Sequence, residues 1–222
     1  MEQHLISALH GVDGTILHLG AGKCRELDTY LETAAEHVVL VEPDPDLAQA
    51  LRKRTTTEPR VKVVEAAVAS QCGEATLHRY NLSGQATLHP LKALPTQWPG
   101  LRDVIQLHVR AIDLAELLKQ TALAEGKRHW LVIETPGEEH QVLSTIVEHG
   151  GPQRFAYLSL TIGGLTPDVE KTRPLLLQTL EKEGYRLEHV AKWNGLLIYH
   201  AKVDRLWEEN LSLKKNLKSA EQ

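Results

Sequence analysis

The chain contains few cysteines and few aromatic residues. Its 222 residues include two cysteines, one phenylalanine and one methionine, and aromatic residues make up 5% of the total. Two cysteines, Cys24 and Cys72, are too few for a disulfide framework. This low content is typical of proteins from a reducing compartment, so we expect the protein to be cytoplasmic.

The sequence also lacks long apolar runs and an excess of positive charge. No segment approaches the length of a bilayer span, and residues 1–10 lack the basic start of a secretory signal, so no membrane span is expected. The net charge is -4, and without a basic face a nucleic-acid partner is not expected. His140 and His149 lack the spacing of paired metal ligands, so no metal site is predicted.

A glycine-containing turn is the strongest functional signal in the chain. Gly20 and Gly22 follow an apolar run at residues 15–19, and Glu42 ends the next apolar run at 38–41. Glycines allow a tight turn and the close approach of a ligand, and a carboxylate at the next strand end can accept both ribose hydroxyls. The combination favours a site for an adenosyl cofactor, with a purely structural turn as the alternative.

Predicted strands and helices alternate along most of the chain. The predicted strands cover residues 15–19, 38–42, 61–68, 75–80, 104–110, 129–134 and 155–162. The predicted helices cover residues 25–37, 46–54, 112–124, 138–149 and 173–183. Such alternation implies right-handed crossovers and a parallel sheet with ligands at the carboxyl ends of its strands.

Two further apolar runs, 185–191 and 196–203, are separated by a turn that contains Asn194 and Gly195. Asn-Gly between apolar runs is a strong hairpin signal. We therefore predict an α/β fold with a class I methyltransferase (Rossmann-like) sheet, mainly parallel with a C-terminal antiparallel hairpin. This arrangement favours S-adenosylmethionine as the adenosyl cofactor.

The end of the chain carries a heptad-like pattern. Its members alternate at spacings of three and four and are Val203, Leu206, Asn210, Leu213 and Leu217. We predict a methyltransferase-like domain over residues 1–203 and a C-terminal helix over 204–222. A short coiled coil that binds a second copy or a protein partner, and a helix folded back on its own domain, both remain open.

Five segments resemble those of FkbM-type methyltransferases in order and spacing. They are residues 16–22, 41–45, 65–68, 109–113 and 133–139, within a likeness that covers about residues 15–165. The Glu-Pro-Asp-Pro element at 42–45 is the most specific of them. The resemblance implies S-adenosylmethionine-dependent methyl transfer, with O-methylation of a sugar, glycan or other small molecule.

The resemblance also implies roles for individual residues. It places Gly20 and Gly22 against the methionine part of the cofactor and Glu42 against the ribose. It places Glu65 near the adenine and Glu134 near the point of methyl transfer, as the candidate catalytic residue.

The chain departs from the family pattern at three places. His18 stands where the family usually has an acidic residue, Cys24 where it has glycine, and Pro136 lies within an altered Lys-x-Asp-x-Glu-Gly motif. His18 remains open between a cofactor-binding residue and a hydrogen-bonded strand histidine. These departures keep a second function open, that of a non-catalytic methyltransferase-like protein that acts in assembly through its C-terminal helix.

Overall fold

The computed structural model describes residues 11–81, 86–90, 100–149, 154–163, 165–166, 168–193 and 196–203. The strands are β1 (Thr15–Leu19), β2 (His37–Val41), β3 (Val61–Val64), β4 (Ala67–Ala69), β5 (Gly73–Tyr80), β6 (Ala86–Thr87), β7 (Asp103–Asp113), β8 (Trp130–Ile133), β9 (Tyr157–Ile162), β10 (Tyr185–Trp193) and β11 (Leu196–Val203). The helices are α1 (Leu27–Leu31), α2 (Pro45–Arg54), α3 (Leu114–Lys119), α4 (Glu139–Glu148) and α5 (Val169–Lys182).

Seven strands form the main sheet, in the order β10-β11-β9-β8-β1-β2-β3. The five strands from β9 to β3 are parallel, whereas β11 pairs antiparallel with both β9 and β10. The predicted parallel sheet and antiparallel end are therefore confirmed. Because the chain moves outward in one direction from β1 and in the other from β8, the boundary between these strands is the point where the strand order reverses.

The central strands are apolar because both faces of the sheet are covered. All five residues of β1 are buried. Leu17 and Leu19 belong to a core shared with α3, α4 and α5, while Ile16 belongs to a second core shared with α1 and α2. On the second face, His18 is a fully buried polar side chain within an otherwise apolar strand end.

The prediction of one continuous strand over residues 61–68 was wrong. The segment divides into β3, which pairs with β2, and β4, which pairs with β7 in a second sheet of order β4-β7-β5-β6. This sheet has its own small core, in which Ala67, Leu77 and Val109 are buried together. Both pieces are apolar, so the sequence pattern does not show that the chain changes sheet between them.

The helices confirm the predicted order but differ in length. Helix α2 begins at Pro45, and Asp44 caps it by accepting a hydrogen bond of 3.0 Å from the backbone N–H of Asp46. Helix α1 is much shorter than the predicted 25–37. The Thr33 hydroxyl donates to the Tyr30 carbonyl, at 2.7 Å, and the following residues turn into β2.

Some predictions lie outside the described residues. These are the turn at Asn194 and Gly195 and the tail residues Leu206, Asn210, Leu213 and Leu217; Val203 ends β11. The division at residue 203, the coiled coil and its partner therefore stay predictions. None of the described helices has the length and hydropathy to cross a bilayer.

Candidate functional site

A cavity of about 1070 Å³ opens at the carboxyl ends of the central strands. Gly20 follows β1, Glu42 follows β2 and Glu134 follows β8, and all three line it. Strands β5 and β6 of the second sheet supply Leu77, Arg79 and other residues of its wall. Its volume suits a small molecule or cofactor, and its place at the reversal of strand order is where open α/β sheets bind ligands.

The two glycines of the turn differ in what surrounds them. Gly20 has φ +77°, and a Cβ there would collide with the backbone carbonyl oxygen of Glu134. Gly22 has φ +55°, but the nearest atom to its Cβ position is the Gly20 carbonyl oxygen, 3.9 Å away. Gly20 is therefore needed where the ends of β1 and β8 meet, whereas Gly22 lines the cavity and a Cβ there would meet no close neighbour.

Glu42 joins the glycine turn to the end of β2. Its Oε2 accepts a hydrogen bond from the Gly22 N–H at 2.6 Å, and its Oε1 accepts one from the Asp44 N–H at 2.8 Å. Glu42 is 5% exposed, and burial raises its pKa to about 7, against the opposing effect of the two N–H donors. Each carboxylate oxygen keeps a second lone pair, so Glu42 can still accept a hydroxyl from a ligand.

Glu134 occupies the matching place at the end of β8, with a different environment. Its Oε2 lies 3.8 Å from His18 Nε2, and its Oε1 accepts a hydrogen bond of 3.2 Å from the Thr161 hydroxyl. Burial by itself would raise its pKa, but His18 and Thr161 more than offset this and lower it. Glu134 therefore brings a negative charge to the cavity wall.

His18 lies behind that wall and is not among the residues that line the cavity. Its Nδ1 is 3.1 Å from the Tyr30 hydroxyl and 4.0 Å from Cys24 Sγ, and the Tyr30 ring meets the imidazole edge to face. Burial favours the neutral imidazole, yet Cys24 and Glu134 together raise the pKa of His18 to about 10. His18 thus has the contacts of a hydrogen-bonded strand histidine, and it contacts the cavity lining through Glu134 and Cys24.

Glu65 is not brought to the cavity. Its Oε2 lies 2.6 Å from Arg52 Nη1, in an ion pair whose two side chains are each more than 40% exposed. The next residues, Ala66, Ala67 and Val68, line the cavity in its place and give this wall an apolar surface. The adenine role of Glu65 stays a prediction that this position does not support.

Two further features of the site have no signal in the sequence. Arg79 on β5 contacts Asp44 Oδ1 at 2.6 Å and Asp46 Oδ2 at 3.0 Å, which ties the second sheet to the start of α2. Glu139 is 1% exposed, and it accepts hydrogen bonds from the Gly137 N–H at 2.8 Å and from the Thr166 hydroxyl. The Arg79 ion pairs and the contact between Thr166 and Glu139 join residues that are distant in the chain, and no local pattern encodes them.

Comparisons of whole structures identify the fold. No protein-family model and no curated protein matches the sequence. Precorrin-6y C5,15-methyltransferase from Geobacter metallireducens GS-15 is 13% identical and aligns over 90% of this chain and 87% of its own, with a TM-score of 0.50. The Methanococcus jannaschii fibrillarin pre-rRNA processing protein is 10% identical and aligns over 88% of this chain and 68% of its own, with a TM-score of 0.51. The chain therefore has a class I methyltransferase fold.

The FkbM methyltransferase from Methylobacillus flagellatus KT also matches, at 13% identity and a TM-score of 0.48. The match covers 83% of this chain but 43% of that protein. This likeness is too low to assign the chain to the FkbM subfamily, so the resemblance seen in the sequence motifs remains unconfirmed.

Proposed function

We propose that the chain is a methyltransferase that binds S-adenosylmethionine in the cavity at the ends of β1, β2 and β8. The observation that carries the proposal is the open side of Gly22 next to the buried carboxylate of Glu42, at the reversal of strand order. The class I methyltransferase fold supports this choice of cofactor.

The residues of the cavity fit each part of this cofactor. The open face of Gly22 accommodates the methionine part, and the free lone pairs of Glu42 accept the ribose hydroxyls. The apolar wall of Ala66, Ala67 and Val68 suits the adenine ring. When bound, the cofactor supplies an activated methyl group, so the main task of the protein is to position the two reactants.

We further propose that the acceptor is an oxygen of a sugar, glycan or other small molecule. Glu134 brings a negative charge to the cavity wall, which Thr135 and Thr161 also line, and the Thr161 hydroxyl donates a hydrogen bond to the Glu134 carboxylate. A carboxylate whose pKa is lowered is a weak base near neutral pH, so its role is to orient the acceptor and to attract positive charge.

Isothermal titration calorimetry with S-adenosylmethionine and S-adenosylhomocysteine tests the proposal. We expect micromolar dissociation constants, which correspond to about -8 kcal/mol. Gly22→Ala should weaken binding at least tenfold, because Gly22 lines the cavity and our proposal places the methionine part of the cofactor against it.

Gly126→Ala is the matched control for that variant. Gly126 also has positive φ, +77°, and open space at its Cβ position, but it is not among the cavity residues. It should lose a similar amount of stability through backbone strain and keep full affinity. If wild-type protein gives no binding signal with either ligand, the proposal is wrong.

A further inference from the structure

Three side chains that can bind a metal lie close together next to the glycine turn, one from the residues before it and two from the residues after it. One ligand atom from each of His18, Cys24 and Glu26 lies within 4.8 Å of the other two. In the described part of the chain this is the one group of three such side chains. His18 and Cys24 are buried, while Glu26 is partly exposed and, like Cys24, lines the cavity.

The backbone at Cys24 is held in an unfavourable conformation. Its φ is +39°, and Asp168 is the other non-glycine residue with positive φ among those that the structure describes. A side chain in this region costs of order 1 kcal/mol or more, so surrounding contacts must hold it there. Arg54 donates hydrogen bonds to the carbonyl oxygens of Lys23 and Cys24, which fixes the turn with the thiol beside the imidazole.

A carboxylate lies near the second ring nitrogen of His18, as one does at many metal-bound histidines. The Nδ1 atom of His18 lies 3.1 Å from the Tyr30 hydroxyl and 4.0 Å from Cys24 Sγ, so a metal ion bound to it replaces the tyrosine contact. Nε2 faces the Glu134 carboxylate at 3.8 Å and makes no hydrogen bond. A carboxylate behind a histidine ligand orients the ring and strengthens its bond to the metal. Glu26 stands at the N-cap of α1, but its side chain makes no capping hydrogen bond, so its carboxylate is not used there.

We propose that His18 Nδ1, Cys24 Sγ and a Glu26 carboxylate oxygen bind one divalent transition-metal ion of the zinc type, with a fourth position that opens to the cavity. Nitrogen, thiolate and carboxylate are ligands that zinc accepts, and three protein ligands with one open position are typical of sites that bind a further group. The proposal does not depend on S-adenosylmethionine binding.

The distances fit the ion after a small contraction. Zinc bound at about 2.0 to 2.3 Å holds its ligand atoms roughly 3.3 to 3.8 Å apart. His18 Nδ1 and Cys24 Sγ are already 4.0 Å apart, and the longer side chain of Glu26 can close the remaining gap. Metal binding forms N–metal, S–metal and O–metal bonds and releases the protons of the Nδ1–H and S–H groups to solvent. The open position would take a carboxylate or another small anionic donor.

Cobalt titration of the full-length Cys72→Ala protein tests the proposal. Cys72 is exposed, and its removal leaves Cys24 as the one thiol in the chain. We expect one Co²⁺ per chain, with the near-ultraviolet band of a cobalt–thiolate bond, and displacement of that ion by Zn²⁺. The band should disappear when Cys24→Ser is added. If no band appears in the Cys72→Ala protein, the site is not formed and the proposal is wrong.

Glu26→Gln tests the carboxylate ligand in the same background. It should weaken Zn²⁺ binding at least tenfold, measured by competition with a chromogenic chelator. Glu32→Gln is the matched control, because Glu32 is an exposed glutamate at the other end of α1 and should leave affinity unchanged. Equal affinities of the two variants would overturn the assignment of Glu26, and this test holds even if Cys24→Ser does not fold.

Discussion

Glu42 at the end of β2 and Glu134 at the end of β8 lie at the same level of the sheet, but their pKa values are shifted in opposite directions. Glu42 faces backbone N–H groups in a buried corner, and its pKa is raised to about 7. Glu134 faces a buried histidine, and its pKa is lowered. The comparison shows that position at a strand end does not set the charge of a carboxylate. At Glu42 the partners are backbone N–H dipoles, which only partly offset the effect of burial on the pKa. At Glu134 the histidine and the Thr161 hydroxyl more than offset it.

Gly20 lies between the two strand ends, and its replacement should have the largest effect on them. In Gly20→Ala the new methyl group collides with the Glu134 carbonyl oxygen and also requires an unfavourable φ. We expect a loss of roughly 2 to 5 kcal/mol in the free energy of unfolding, from overpacking and backbone strain together. Gly126→Ala has the same φ without the collision and should lose only about 1 to 2 kcal/mol. Urea denaturation measures the free energy of unfolding of both variants. Equal losses would show that the contact with the Glu134 carbonyl oxygen does not destabilise Gly20→Ala.

At the β2 end, Glu42→Ala should weaken the binding of S-adenosylhomocysteine by about 1.5 to 3 kcal/mol, the range for hydrogen bonds to a charged group, when it is measured above the Glu42 pKa of about 7. The variant also frees the N–H groups of Gly22 and Asp44, so thermal unfolding must show that the fold is kept. Unchanged affinity in a folded variant would remove Glu42 from the ligand site. This measurement distinguishes a ligand-binding carboxylate from one that only holds the turn.

At the β8 end, the comparison can be tested through pH. The folded-state pKa of His18 is about 10, above its ordinary value of 6.5. Its contribution to stability is therefore complete below about pH 6.5 and is lost as the pH rises through 10. In Glu134→Gln the imidazolium loses its negative partner, so its folded-state pKa falls and less stability remains to be lost.

Urea denaturation of the metal-free protein, in a buffer that contains a chelator, measures this difference at pH 7 and pH 10. The wild type should lose at least about 1 kcal/mol more than Glu134→Gln over this range. Other groups that titrate here are present in both proteins and cancel in the comparison. Equal losses would show that Glu134 does not support the charge of His18.

The smallest effect is expected at Glu65, which follows β3 but lies away from the cavity. Its ion pair with Arg52 is exposed on both sides, and such pairs contribute about 0 to 1 kcal/mol. Glu65→Ala should change the free energy of unfolding by less than about 0.5 kcal/mol and leave ligand affinity unchanged. A clear loss of ligand affinity in calorimetry would contradict this prediction and show that Glu65 contributes to ligand binding.

Local sequence patterns predicted the central part of the fold well. The apolar strands β1, β2, β8 and β9 and the antiparallel end of the sheet all have signals within a few residues. These signals are reliable because strand burial and hairpin formation depend mainly on neighbouring residues. The same patterns failed at residues 61–68, where the chain passes from one sheet to the other without a change in composition.

The sequence by itself determined that a glycine turn and the strand-end carboxylate of Glu42 would meet at one edge of a parallel sheet. The position of these groups follows from chain order and the right-handed crossover. Only the tertiary structure decided that Gly20 accommodates the Glu134 backbone, that Ala66 rather than Glu65 faces the cavity, and that His18 supports Glu134 from behind. These outcomes depend on burial and on distances between residues far apart in the chain, and those quantities set both the close contacts and the charges of the site.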